Sequence, residues 1–167
     1  MSHIKVGIVM GSSSDWPIMQ NAAQILTDFG GAFEAKVVSA HRMPHDMVEY
    51  GAQASAQGYH AIIAGAGGAA HLPGMLAALT EVPVFGVPVP SRSLKGEDSL
   101  FSIVEMPKGV PVATFAIGEA GAANAALHVI ATMAVHDNAL KQKLLDFRAK
   151  QTEAARAMSL PAVGESN

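Results

Sequence analysis

A histidine and an arginine stand side by side in residues 37–44, VVSAHRMP, where an apolar run ends at a proline. Imidazole gains and loses a proton near neutral pH, and guanidinium grips phosphate or carboxylate through two parallel hydrogen bonds. His41 is therefore a candidate acid–base group, and Arg42 is a candidate anchor for an anion. On these residues alone, the alternative is that His41 is an ordinary surface or capping residue.

A serine-rich stretch, GSSSDWP at residues 11–17, is a second candidate site. Free backbone amides, the start of a helix and hydroxyl groups together suit phosphate or carboxylate. Asp15 would repel that anion, so we expect its carboxylate to meet ribose hydroxyls or helix amides. Helix capping by Ser14 or Asp15 is the alternative. The stretch lacks the lysine of a Walker loop and the Gly-x-Ser-x-Gly of a hydrolase elbow, which excludes both sites.

A run of small residues, GAGGAAHLPG at residues 65–74, predicts a pocket walled by backbone. Because such a wall has few side chains, amide groups can close around a compact anionic group. The run also matches the dinucleotide-binding pattern G-x-G-x-x-A, but the next strand, VPVFGVPVP, lacks the acidic residue that would hold a ribose. His71 is either a second polar contact in this pocket or a helix cap.

The elements that must position these residues form an alternating pattern. Strand-like apolar runs alternate with segments of helical spacing, which predicts a three-layer α/β sandwich around a doubly wound, five-stranded parallel sheet, flavodoxin-like or Rossmann-like. The predicted strands are residues 5–10, 34–39, 60–65, 82–87 and 109–115; the predicted helices are residues 15–29, 44–57, 72–81, 119–136 and 137–158. Ligands bind outside the carboxyl ends of such strands, so the three loops meet at one edge. Residues 90–99 are either a flap over this edge or a plain connecting loop.

The chain has 167 residues, which is enough for a single domain with a proper core. We expect the core at residues 4–136, a C-terminal helix at about 137–158 and a loose tail at 159–167. Half of the residues are hydrophobic and 15% are charged, against roughly 25% in a typical soluble domain. So little charge predicts a surface buried between identical subunits, and we expect the C-terminal helix to extend to a neighbouring subunit.

Composition also excludes several classes of function. A net charge of −3 gives no general attraction for nucleic acid or an anionic membrane, both of which require concentrated Lys and Arg. The absence of cysteine excludes thiolate catalysis and cysteine-based metal sites. His41 and His45 have helical spacing, but Pro44 lies between them, and we expect no metal. We see neither a secretory leader nor an apolar run of the ~18 residues that span a membrane, so we expect a cytoplasmic protein.

Several strings, spread in order over residues 4–152, closely resemble the class I N5-carboxyaminoimidazole ribonucleotide mutase family of purine biosynthesis, which belongs with the catalytic subunits of phosphoribosylaminoimidazole carboxylase. They are GSSSDW, SAHRMP, AGAGGAAHLPG, GVPV, DSLFSIVEMPKGVPVATFAIG and GAANAAL. The resemblance implies a homo-octamer of flavodoxin-like subunits without metal or organic cofactor. It also implies that a carboxyl group moves from the exocyclic nitrogen of aminoimidazole ribonucleotide to carbon four of the ring, on the way to IMP.

The resemblance assigns a role to each candidate residue. His41 matches the general acid/base, which would carry a proton in both the decarboxylation and the recarboxylation. The remaining matches are substrate-binding positions of three kinds. They are Ser12 and Asp15, with the aspartate on ribose hydroxyls; Ser14, Ser39 and Arg42, near the phosphate; and the backbone of Ala66, Gly67 and Gly68 with His71 and Leu72, around the migrating carboxylate.

Two departures from the family pattern are small. Met43 stands where threonine is common, and Ala113 stands where the family has glycine; neither removes a proposed chemical group, and Met43 has no functional account. Arg42 after the histidine favours the mutase over the related carboxylase, which takes CO2 directly. The remaining alternative is a non-catalytic nucleotide- or flavin-binding module, although one tryptophan and two tyrosines leave few rings to stack on a flavin.

Overall fold

The computed structural model of the chain describes residues 4–161 and 163. Its centre is a five-stranded sheet in which all neighbouring strands are parallel, in the order β2-β1-β3-β4-β5. The strands are β1 (Lys5–Met10), β2 (Ala32–Val37), β3 (Ala61–Gly67), β4 (Val84–Val89) and β5 (Ala113–Thr114). The helices are α1 (Trp16–Phe29), α2 (Pro44–Gln53), α3 (Leu72–Ala77), α4 (Glu97–Val104), α5 (Glu119–Ala134) and α6 (Asn138–Arg156). None of the helices in the described part of the chain is long and apolar enough to cross a membrane.

Helices cover both faces of the sheet. On one face α1 and α5 enclose a core that contains Ile8 and Leu26, and on the other α2, α3 and α4 enclose a core that contains Ile62 and Leu76. The chain leaves β1 toward the first face and leaves the neighbouring β3 toward the second, so the loops after these two strands diverge. A doubly wound sheet opens a crevice at such a point.

Local sequence sets the position of α1 beside this crevice. Pro17 lies in the first turn, where a missing amide hydrogen costs the helix nothing. The helix ends at Gly30, which has φ 78° and donates its amide to the Leu26 carbonyl. On α5, Ala122 and Ala125 are fully buried, so the α5 backbone can approach α1 closely.

The observed limits of several elements differ from the predicted ones. β2 lies at residues 32–37 rather than 34–39, β3 at 61–67 rather than 60–65 and β4 at 84–89 rather than 82–87. An apolar run does not mark where backbone pairing stops: β3 continues into its glycines because Gly67 still pairs with Val89. α2 and α3 end earlier than predicted, at Gln53 and Ala77, because tight turns follow both helices.

One helix was missed and one strand was overestimated. Residues 90–99, expected to be a flap or a plain connecting loop, end in the first turn of α4, which begins after Gly96 at φ 100°. The stripe that buries Ser99 and Ile103 was not recognised as helical. The strand predicted at residues 109–115 pairs only at Ala113–Thr114, since Pro111 has no amide hydrogen to donate.

α6 begins at a cap, where the Asp137 carboxylate accepts the amides of Ala139 and Leu140 at 3.0 Å. Its first turns pack on their own chain: Leu140 is buried, and the Phe147 ring lies 5.6 Å from that of Phe29. From residue 148 to residue 156 every side chain is exposed. Extension of this outer half to a neighbouring subunit stays a prediction. Of the tail predicted to be loose, residues 162 and 164–167 lie outside the described residues.

Close packing beneath the site depends on a glycine in β1. A Cβ at Gly7 would lie 2.1 Å from the Tyr50 hydroxyl oxygen and 3.3 Å from Cζ of that ring. Tyr50 is itself almost fully buried, and burial raises the pKa of its hydroxyl far above the usual range. A side chain at position 7 would therefore press on a ring that has little room to move.

We expect Gly7→Ala to lower the free energy of unfolding by ~2 kcal/mol, because the added methyl overpacks this contact. Urea unfolding at fixed protein concentration measures the change. Tyr50→Phe removes the closest clashing atom, so the double variant is expected to recover at least part of the loss. Additive losses in the two single variants would show that the clash is not with the Tyr50 hydroxyl.

Candidate active site

A crevice of about 840 Å³ lies outside the carboxyl ends of β1, β3 and β4, at the point where the loops diverge. Each residue proposed from the sequence lines it. These are Ser12, Ser14, Asp15, Ser39, His41, Arg42, Ala66, Gly67, Gly68, His71 and Leu72. Lining places these residues at one site; it does not by itself test the role of any of them.

The serine-rich stretch forms a single 3-10 turn, Ser13–Asp15, that leads directly into α1. The Ser12 hydroxyl oxygen caps this turn by accepting the Ser14 amide at 3.2 Å, and it lies 2.8 Å from the Ser14 hydroxyl. Asp15 occupies the capping position of α1 without accepting any helix amide. Capping by Ser14 or Asp15 is therefore wrong: the capping side chain is Ser12, and the Asp15 carboxylate is available to a ligand.

The Asp15 carboxylate is partly withdrawn from water. This burial raises the pKa of the Asp15 carboxyl above its ordinary value, against the lowering effects of the Ser14 hydroxyl, the Ser12 backbone and the Arg42 charge. A carboxylate that has lost water and gained few donors can accept hydrogen bonds from ligand hydroxyl groups. No helix amide bonds to the Asp15 side chain, so contact with ribose hydroxyls stays the prediction for this carboxylate.

Arg42 is held in place by the chain on both sides of the crevice. Its Nη2 donates to the Gly11 carbonyl after β1 at 2.5 Å, and its Nε donates to the Ser39 hydroxyl oxygen after β2 at 3.2 Å. Ser39 is buried and also accepts the Arg42 amide at 3.3 Å. Within the described residues Nη1 has no protein acceptor, so a fixed guanidinium edge faces the crevice. The Ser39 hydroxyl therefore holds both the backbone and the side chain of Arg42 in place.

The two histidines of the crevice contact each other. His41 Nε2 lies 2.8 Å from His71 Nδ1, and the rings meet edge to face at 89°. Both side chains are exposed to the crevice. At this distance one nitrogen carries the shared proton and the other accepts it, so the proton positions of the two rings are coupled. His71 stands before α3 without capping it, which disagrees with the helix-cap alternative.

The glycines of this run are held for different reasons, and Gly67 and Gly68 form the floor of the crevice. Gly65 lies in β3 beside the floor, and a Cβ there would lie 2.3 Å from the Met19 sulfur. Gly67 pairs with Val89, whose carbonyl oxygen would lie 3.3 Å from an added Cβ. Gly68 has φ 69°, which disfavours any other residue. Gly65 and Gly67 therefore serve strand packing, so the formal dinucleotide pattern is coincidental.

The expectation that amides of the glycine run close around an anion is wrong for Gly68. Its amide donates to the Ser99 hydroxyl oxygen at 2.9 Å and is not available to a ligand. A buried serine on α4 was not foreseen as part of this wall, because α4 itself was not predicted.

The crevice is also lined by Val89, the last residue of β4, and by the three residues that follow it, Pro90, Ser91 and Arg92. Residues 90–92 belong to the segment expected to be either a flap over this edge or a connecting loop, but none of the four was named as a site residue. The rule that ligands meet the carboxyl ends of strands could have found them, since they lie at the end of β4. Arg92 is exposed and adds a second cation to the crevice beside Arg42.

The site is suited to proton transfer on an anionic, hydroxylated ligand. It combines paired imidazoles, a fixed guanidinium and a carboxylate that can accept hydroxyl groups. His45 does not line the crevice. In residues 4–161 and 163, no three side chains of His, Asp or Glu form a group that could hold a metal ion.

The chain is similar to known proteins over most of its length. The family model described as AIR carboxylase matches residues 5–154. The N5-carboxyaminoimidazole ribonucleotide mutase of Vibrio vulnificus is 58% identical over 159 residues, which cover 95% of this chain and 99% of that one. The protein of the same name from Escherichia coli K12 is 56% identical over 149 residues, with 89% and 88% coverage.

A solved structure resembles the fold. The crystal structure of Treponema denticola PurE superposes with a TM-score of 0.81 at 25% identity and covers 90% of this chain and 93% of that one. The family match, the identity to the mutases and this superposition all span most of the chain. The protein therefore belongs to the AIR carboxylase family.

Proposed function

We propose that this protein is an N5-carboxyaminoimidazole ribonucleotide mutase, which forms 4-carboxy-5-aminoimidazole ribonucleotide for purine biosynthesis. The observation that carries the proposal is the crevice in which the His41–His71 pair lies beside the anchored Arg42 and above a floor of glycine backbone. High identity to proteins of that name over nearly their whole length supports the substrate. The anchored guanidinium receives the phosphate, and Asp15 receives the ribose hydroxyls.

His41 donates a proton to the substrate in the first step of the reaction and accepts a proton from it in the second. Protonated His41 gives its proton to the carbamate nitrogen, and the nitrogen–carbon bond breaks to release CO2. Ring carbon four then attacks CO2, and the proton on that carbon returns to His41. An imidazole can perform both steps, because it exchanges protons near neutral pH. His71, at 2.8 Å, orients the His41 ring throughout.

The glycine floor keeps the CO2 close. Attack by the ring carbon would otherwise depend on the low concentration of CO2 in solution, so a closed pocket turns the second step into a reaction between neighbours. A wall of Ala66, Gly67 and Gly68 fits this role, since residues this small let CO2 lie directly against the backbone of the crevice. Leu72 is buried and makes the pocket beside it apolar.

Exposed apolar side chains support the homo-octamer that the family resemblance implies. Phe33 and Val37 on the edge strand β2 are 38% and 41% exposed, and Phe101 on α4 is 59% exposed. Burial of these side chains between subunits would remove their apolar surface from water. A cytoplasmic location is part of the same proposal and rests on the proposed place in purine biosynthesis.

A second candidate is the carboxylation of aminoimidazole ribonucleotide with CO2 directly, which the name of the matching family, AIR carboxylase, favours. An absorbance assay for the carboxylated imidazole separates the two activities. We expect product from the carbamate substrate, and little from aminoimidazole ribonucleotide with bicarbonate. Turnover of only aminoimidazole ribonucleotide with bicarbonate would show that the protein is a carboxylase and would contradict the mutase proposal.

His41→Asn is expected to lower kcat by about 10³-fold while substrate still binds, because the imidazole is proposed to move protons rather than to anchor the ligand. Steady-state assays and calorimetric binding measure the two effects. His45→Asn is the matched control: this histidine also lies near the start of α2 but outside the crevice, and its loss should leave kcat unchanged. Near-normal turnover in His41→Asn would remove His41 from the mechanism.

Arg42→Ala is expected to weaken binding of aminoimidazole ribonucleotide by ~2 kcal/mol, roughly thirtyfold, through loss of a charge-assisted pair with the phosphate. Isothermal titration calorimetry measures the affinity. Arg148→Ala changes the net charge equally at an exposed position of α6, outside the crevice, and should bind like the wild type. Equal affinities in both variants would contradict a phosphate role for Arg42.

A further inference from the structure

The Ser99 side chain lies between the ends of two strands. Ser99 is fully buried on α4, and its hydroxyl donates to the Val89 carbonyl at 2.7 Å while accepting the Gly68 amide at 2.9 Å. Gly68 follows β3, and Val89 ends β4. One hydroxyl therefore bridges the two strands where they reach the crevice.

The position of this bridge follows the hydrogen-bond ladder between β3 and β4. The Ile62 amide donates to the Pro83 carbonyl at 2.9 Å. Each further bond on the same side of a parallel ladder advances two residues along both strands, which leads to the Gly68 amide and the Val89 carbonyl. These are the two groups that Ser99 separates. The Ser99 hydroxyl oxygen lies where a direct bond between the Gly68 amide and the Val89 carbonyl would otherwise form. The ends of the two strands are therefore farther apart than in a continuous ladder.

The same helix also contacts the carbonyl of Gly68. The Ser102 hydroxyl lies 3.3 Å from this oxygen, although its shorter bond, 2.7 Å, goes to the Asp98 carbonyl. α4 therefore touches both the donor and the acceptor of Gly68, whose φ of 69° turns the chain away from the sheet. The wall of the crevice depends on a helix that does not itself line it.

We propose that Ser99 is a positioning residue, whose hydroxyl holds the ends of β3 and β4 apart and so fixes the Gly67–Gly68 wall that retains CO2. The inference rests on the proposed mutase function. It assigns to Ser99 no contact with the substrate. Its consequence is that removing the hydroxyl should let CO2 escape during turnover, rather than weaken nucleotide binding.

Ser99→Ala tests this role by measuring whether the carboxyl carbon of the product comes from the substrate or from bicarbonate in solution. The reaction runs with unlabelled carbamate substrate in ¹⁴C-bicarbonate and carbonic anhydrase, so that any CO2 lost from the site is replaced by label. We expect the labelled fraction of the product to rise about fivefold or more and kcat to fall about tenfold, with KM changed less than about twofold. A merely structural loss would lower the amount of folded enzyme without labelling the product.

Two matched variants separate the hydroxyl from general stability. Ser99→Thr retains a hydroxyl at the same position and should keep the labelled fraction within about twofold of the wild type. Thr27→Ala removes a hydroxyl that bonds to the Ala23 carbonyl within α1, at an exposed position away from the wall. It should change neither the labelled fraction nor kcat. Wild-type labelling and kcat in folded Ser99→Ala would overturn the positioning role.

A crystal structure of Ser99→Ala gives a result that does not depend on activity. We expect the Gly68 amide to pair with the Val89 carbonyl at about 2.9 Å, as an unobstructed ladder would. Strand ends that stay apart, with water replacing the hydroxyl, would show that Ser99 does not set their separation. Absence of mutase activity in the wild type would instead contradict the proposed function, and the strand separation would still be measured.

Discussion

The site depends on the direction in which the chain leaves two neighbouring strands. Crossovers between parallel strands are right-handed, so a sheet that grows from β1 to β2 on one side and from β1 to β3 on the other must place its helices on opposite faces. The loops after β1 and β3 are forced apart, and the crevice is the space between them. Serines before α1 and glycines at the end of β3 meet there although more than fifty residues separate them in the chain.

Few charged side chains line this crevice, and two of them, Arg42 and Asp15, are constrained by their surroundings. The Arg42 guanidinium ties the loop after β1 to the loop after β2 before it meets any ligand. An arginine held in this way has already lost much of its side-chain freedom, so less entropy remains to be lost on binding. The neighbouring Asp15 carboxylate sits partly buried, where the guanidinium charge opposes the effect of burial on its pKa. A ligand that brings both an anion and hydroxyl groups satisfies the two together.

The sequence predicted the parallel sheet and the edge at which its ligand residues gather, because hydrophobic periodicity and loop composition are local properties. His41 and Arg42 could be placed at that edge from their position after a strand, but their division of labour came from the family resemblance. The His41–His71 contact could not be predicted, since it depends on the angstrom-scale separation of two loops. Ser99 was missed for a related reason. Its hydroxyl bridges the ends of two strands that are distant from it in the sequence, and no local sequence pattern predicts that contact. The short β5 was overestimated because apolar composition says nothing of a missing donor at Pro111.

The glycine floor also limits how the crevice can change over time. Gly67 and Gly68 already carry the smallest side chain, and a facing carbonyl at Gly67 and a left-handed backbone at Gly68 oppose a larger one. Substitution there cannot deepen the pocket and can only fill it at a cost in stability. Variation in ligand size during evolution, or in a redesigned enzyme, must therefore come from other lining residues, such as residues 89–92 at the end of the neighbouring strand. Because glycine cannot be replaced by a smaller residue, the floor keeps its depth, and the size of the crevice changes through substitutions in the loop after β4.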